Sequence, residues 1–130
     1  MHLYHFISFL LLFFFQPHSS QQEHYYINFE KIDNRVDILV NDSLMYTSGT
    51  IDFNPDLTEV YSVYLGNFLT PKKDKVVVRL YNGHEPYENE EDSSWELKYV
   101  LLKNEDLVDY VWESENDGRI GVVFEMTHYL

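Results

Sequence analysis

From Tyr25 onward, apolar and polar residues alternate with a period of two in segment after segment. That is the pattern of strands with one face in a core and the other in water. In "KVVVRLY" the residues Val76, Val78 and Leu80 fall on one face, and Lys75, Val77, Arg79 and Tyr81 on the other. "SWELKYVLL" sends Trp95, Leu97, Tyr99 and Leu101 inward, with Glu96 and Lys98 outward. The last segment sets Ile120, Val122, Phe124 and Met126 against Gly121, Val123, Glu125 and Thr127. Less regular strands are predicted over 25–30, with Tyr25, Ile27 and Phe29 aligned, over 36–40, with Val36, Ile38 and Val40 aligned, and over 44–48 and 59–65. The inward set expected from the best alternation is Ile38, Val76, Val78, Leu80, Trp95, Leu97, Tyr99, Val122 and Phe124.

Turn chemistry falls between these segments: Asp33-Asn34, Asn41-Asp42, and above all "NDG" at Asn116 to Gly118, which can supply the positive φ angles of a hairpin turn. Strands at about ten-residue spacing with such turns predict an all-β chain, one antiparallel β-sandwich of roughly seven to nine strands. The stretch over 105–115 supports two readings. As a strand it puts Val108, Tyr110 and Trp112 on one face; as a short helix capped by Asn104 it has Leu107, Val108, Val111 and Trp112 as an apolar stripe. Its Val, Tyr and Trp content favours the strand.

The beginning of the chain is different. "MHLYHFISFLLLFFFQPHSS" is apolar from Phe6 to Phe15 except for Ser8, then turns polar at Gln16-Pro17 and small at Ser19-Ser20. That layout predicts a signal peptide over 1–20, with a short uncleaved anchor as the alternative, and a single domain over 21–130 in a secreted or periplasmic setting. The apolar run falls short of the roughly 20 residues of a spanning helix, so no membrane insertion of the mature domain is expected. With no cysteine in the chain, neither a lipoprotein anchor nor a disulfide framework is available. A domain of about 110 residues must then stand on its core, and it is large enough to do so.

All 22 acidic and all 9 basic residues lie beyond Ser20, so the net charge of −13 belongs to the domain. Such a surface repels phosphates, and no nucleic-acid partner is expected. Anionic membrane surfaces are disfavoured for the same reason.

"VDILVND", followed later by "DKVVVRLYNG", resembles the paired strands of galactose-binding-like jelly rolls, the sandwiches of carbohydrate-binding modules. The likeness covers Val36 to Gly83 and rests on turn and core positions. It implies a jelly-roll-like sandwich and a non-catalytic binding module, and it carries over no functional residue.

Chemical signatures narrow the field further. "DFNPD" spaces Asp52, Asn54 and Asp56 like the start of a calcium loop, but Leu57 stands where glycine is needed and Val63 where a bidentate glutamate is needed, so the stretch reads as a turn. His24, His84 and His128 lack ligand spacing and read as surface histidines. No nucleophile elbow or phosphate loop is present. A paired-carboxylate hydrolase needs only two acids, but also a cleft that a small sandwich hardly offers. "NDS" at Asn41 to Ser43 matches a glycosylation acceptor for a eukaryotic chain and is only a turn in a bacterial one.

"HEPYENEEDSSW", from His84 to Trp95, remains. It joins two well-patterned strands, and long connections within a small domain often bind. Tyr81 and Tyr87 offer flat rings there, and Asn82, His84 and Asp92 offer hydrogen bonds, as candidate binding residues for a protein or glycan. Glu88, Glu90, Glu91 and Asp92 are candidate metal ligands, calcium being the ion their oxygens could hold. The simplest reading is a solvated loop, because like charges in sequence repel. The expectation is a non-catalytic binding or interaction module with no obligatory cofactor, its partner a protein or a glycan. A small hydrolase, an inhibitor or a calcium-stabilised sandwich is the rival.

Overall fold

The computed structural model describes residues 23–51, 61–83 and 94–130. The two-residue alternation becomes eight strands there: β1 (Tyr25–Asp33), β2 (Arg35–Val40), β3 (Ser43–Thr47), β4 (Tyr61–Tyr64), β5 (Lys75–Asn82), β6 (Trp95–Lys103), β7 (Asp106–Glu115) and β8 (Gly121–Tyr129). No helix occurs among the described residues, so none there is long and apolar enough to cross a membrane. Of the stretch over 105–115, all but Glu105 is the strand β7, as its β-branched and aromatic content favours.

The strands form two four-stranded antiparallel sheets, in the orders β4-β1-β6-β7 and β3-β2-β5-β8. Two sequence neighbours pair as hairpins, β2–β3 and β6–β7; the other connections pass from one sheet to the other. Both hairpins turn through two consecutive residues of positive φ, Asn41-Asp42 (49° and 69°) and Asn104-Glu105 (49° and 71°). That backbone matches the twist of the flanking strands, and asparagine tolerates it better than most residues other than glycine. Asn104 is thus a turn residue and not a helix cap. "NDG" also takes positive φ, at Gly118 (73°), but β7 and β8 lie in different sheets, so it is a corner and not a hairpin. Asp117 shapes that corner by accepting the Trp95 indole N–H and the Arg119 backbone N–H.

One core lies between the sheets and draws on both: Ile27, Phe29, Leu97, Tyr99 and Leu101 from one, Val36, Ile38, Val76, Val78 and Leu80 from the other, all buried. The arrangement is sandwich-like. In a jelly roll the first and last strands are neighbours; here β1 lies between β4 and β6, and β8 pairs with β5. The sandwich expectation therefore stands without the jelly-roll winding.

Bulges decide where the alternation was misread. Leu80 pairs with Phe124 but Tyr81 pairs with Val122, so β8 carries an extra residue at Val123. The slip turns Val122 outward, 47% exposed, and buries Val123, which corrects the predicted inward place of Val122. Ile120 is exposed too, and Phe124 and Met126 are only half-buried. In β1 a similar slip at Glu30 moves the inward register from Phe29 to Ile32.

His128 corrects a second expectation. It is buried, and its Nε2 lies 2.7 Å from the Tyr99 hydroxyl, with Nδ1 3.4 Å from Asp109. Burial pushes the His128 pKa down, against the opposing pull of Asp109. Burial also raises the Tyr99 phenol. Neutral His128 therefore accepts from Tyr99 and turns Nδ1–H toward Asp109, tying the two sheets together.

Candidate binding surface

The sequence points to a site around Tyr81, Asn82, His84, Tyr87 and Asp92. His84, Tyr87 and Asp92, and the metal candidates Glu88, Glu90 and Glu91, lie outside the described residues, as do Asp52, Asn54 and Asp56. The structure places the remaining two. Tyr81 lies on the outer face of the β3-β2-β5-β8 sheet, opposite Arg35, whose guanidinium stacks 4.0 Å from the ring centre. Asn82 is buried. Its carboxamide accepts from Asn34 Nδ2 (3.3 Å) and donates to the Arg119 carbonyl (2.9 Å), binding two chain crossings together.

Other side chains meet elsewhere, on the outer face of the β4-β1-β6-β7 sheet. The register sets them in rows. Tyr64 faces Tyr26, which faces Leu102, which faces Leu107. Ser62, Asn28, Val100 and Tyr110 form the next row, and Lys31, Lys98 and Trp112 the third. The solvent face of an antiparallel sheet is ordinarily polar. Here Leu107, Trp112 and Tyr110 are 64%, 54% and 47% exposed. Alternation in the sequence aligns Val108, Tyr110 and Trp112 but does not mark which face is the wet one.

Several contacts hold these rings in place. Tyr26 and Tyr64 lie 4.9 Å apart at 37°. The Tyr64 phenol folds over Gly66, where any Cβ would collide with it, and its hydroxyl meets His24 Nδ1 at 3.0 Å. The Trp112 indole donates to Glu96 at 3.1 Å, while the Lys98 ammonium lies 5.0 Å from its ring and 6.0 Å from that of Tyr110. Lys98 also pairs with Glu30 at 2.7 Å, and Lys31 with Glu96 at 3.0 Å. Hydrogen bonding to Glu30 is the first cause that raises the Lys98 pKa, so it stays a cation beneath the aromatic pair. Rings held by neighbours lose little freedom when a partner covers them.

The acids whose carboxyls are shifted lie away from this face. Hydrogen bonding to Lys103 leads in lowering Glu23, and the Arg119 backbone N–H leads in lowering Asp117. Burial raises Asp74, but hydrogen bonds from Thr70 and Asn41 outweigh it and bring the carboxyl down. Asp74 borders a cleft of about 660 Å3 lined by Tyr25, Leu69, Lys72 and Lys73. Among the described residues no three His, Asp or Glu side chains gather as a metal would require. Set against family models, curated proteins and solved structures, the chain matches none.

Proposed function

We propose that this chain is an exported, non-catalytic binding module, and that it meets its partner with the outer face of the β4-β1-β6-β7 sheet. The observation that carries the reading is the exposed pair Tyr110 and Trp112, fixed by Lys98 and Glu96 on a sheet face that also carries Tyr26 and Tyr64. Tyr and Trp give large contact area with little side-chain entropy to lose, which is why they dominate the centres of interfaces. Exposed apolar surface rimmed by polar groups is the common mark of such a site. Leu107 and Val108 are exposed beside the rings, and aliphatic side chains favour a protein over a glycan. Export rests on the layout of residues 1–20. A hydrolase would instead need two acids with pKa values pushed apart in a closed pocket, and the shifted acids described here all move downward.

The reading is tested by probing an arrayed panel of extracellular proteins and glycans with the wild-type domain and with Tyr110→Ser/Trp112→Ser. Specific protein hits that the double variant loses are expected. Hits retained by the variant, or a panel with none, would overturn it, and glycan hits lost by the variant would move the partner class.

A further inference from the structure

We propose that the partner is an extended, basic segment of another protein that adds to the β4-β1-β6-β7 sheet as a fifth strand along the free edge of β7. The proposal rests on the outer-face reading above and names the chemistry of the partner.

Among the described residues β7 has a neighbour on one side only, β6. Alternate N–H and C=O groups of a strand point to opposite sides, so among the described residues half of those in β7 face outward with no strand beside them. Proteins usually blunt such an edge with lysine, proline or brevity. β7 spans 10 residues with neither lysine nor proline; the edge strand β8, at nine residues, also lacks both, whereas β3 and β4 have five and four, so it is the side-chain pattern of β7 that sets it apart. Its one irregularity lies at Val108, and Asp109 to Glu115 pair with Trp95 to Leu101 without a break.

The two faces of that run differ in a way that specifies an added strand. Tyr110 and Trp112 project to the outer face, opposite Val100 and Lys98. Asp109, Glu113 and Glu115 project to the other, in register with buried Leu101, Leu97 and Trp95. Among the described residues Glu113 and Glu115 have no cation within ion-pair distance, and the ionic neighbour of Asp109 is His128, whose lowered pKa keeps it neutral. A strand laid beside β7 would therefore set its own alternate residues against aromatic rings on one face and carboxylates on the other. The complementary sequence alternates apolar residues with lysine or arginine. A second copy of this chain fits poorly, because antiparallel pairing of two β7 edges sets these acids against acids on a chain of net charge −13.

The test uses the domain and a capped synthetic peptide of about eight residues alternating valine and lysine. Calorimetry at low salt should show binding that weakens about tenfold or more with Glu113→Gln/Glu115→Gln, and again with Trp112→Ser. Binding should be lost when alternate peptide nitrogens are methylated, since only a ladder of backbone hydrogen bonds needs them. A peptide with lysines and valines in separate blocks should bind at least tenfold more weakly. Equal binding by the methylated or the blocked peptide would mean simple charge attraction and would overturn the proposal. Absence of peptide binding while the arrayed hits persist would also overturn it and leave the outer-face reading standing. Sedimentation of the wild-type chain as a dimer without peptide binding would assign the edge to a second copy.

Discussion

The Tyr99 hydroxyl and His128 Nε2 meet at 2.7 Å between the two sheets, where both side chains are buried. Because burial depresses the His128 pKa in the folded chain, the unfolded chain takes up its proton first as pH falls. Stability contributed by the neutral imidazole is present above the unfolded pKa of about 6.5 and lost as pH drops from there toward the lower folded value. Urea unfolding between about pH 7.5 and 5 should show that loss in the wild type, and His128→Gln should flatten it. The downshifted carboxylates of Glu23, Asp74 and Asp117 act in the same direction but at lower pH, near and below about 4. Equal slopes for wild type and variant above pH 5 would contradict the arrangement.

Leu97 is fully buried in the core. Leu97→Ala should lower the unfolding free energy by about 2 to 5 kcal/mol. Phe124→Ala should cost less than the about 3 to 5 kcal/mol of a fully buried phenylalanine, because that ring is only partly covered. Denaturant midpoints of the two variants check the ranking.

The bulge in β8 separates two adjacent valines. Val123 is buried and Val122 exposed. Val123→Ser should cost about 1 to 3 kcal/mol, while Val122→Ser should stay within about 0.5 kcal/mol of wild type. The reverse ranking would restore the uninterrupted alternation that the sequence predicts.

That pair shows where the fold was legible and where it was not. Strict alternation placed Val76, Val78, Leu80, Trp95, Leu97 and Tyr99 inward, and all are buried, because each lies in a run without a slip. Bulges at Glu30 and Val123 reverse the parity beyond them; nothing in "NFEKI" marks the extra residue, and in "IGVVFE" the glycine hints at one without placing it. His128 was within reach: continuing Phe124 and Met126 by one more step predicts it inward. The proposed binding face is half visible in the sequence, since Tyr110 and Trp112 stand aligned there. Their exposure depends on Val111 facing the core opposite Tyr99, a pairing that only the register reveals. Likewise "NDG" looks like a hairpin turn, and only the sheet order shows that it links the sheets.

The acidic stretch from His84 to Ser93 carries five carboxylates. Read as a solvated loop, it should leave the melting temperature nearly unchanged in millimolar calcium, since a ligand stabilises by mass action only where it binds the folded chain. A thermal scan with and without calcium checks this. A rise of several degrees that disappears in Glu88→Gln/Glu90→Gln/Glu91→Gln would make the stretch an ion site.

Amide hydrogen exchange on the complex with a partner captured from the extracellular panel tests the binding face most directly. Contact through the outer face of the β4-β1-β6-β7 sheet predicts slowed exchange in peptides covering residues 105–115, with little change in β3 or β8. Slowed exchange confined to residues 81–93, with β7 unchanged, would contradict the account and return the site to the acidic stretch.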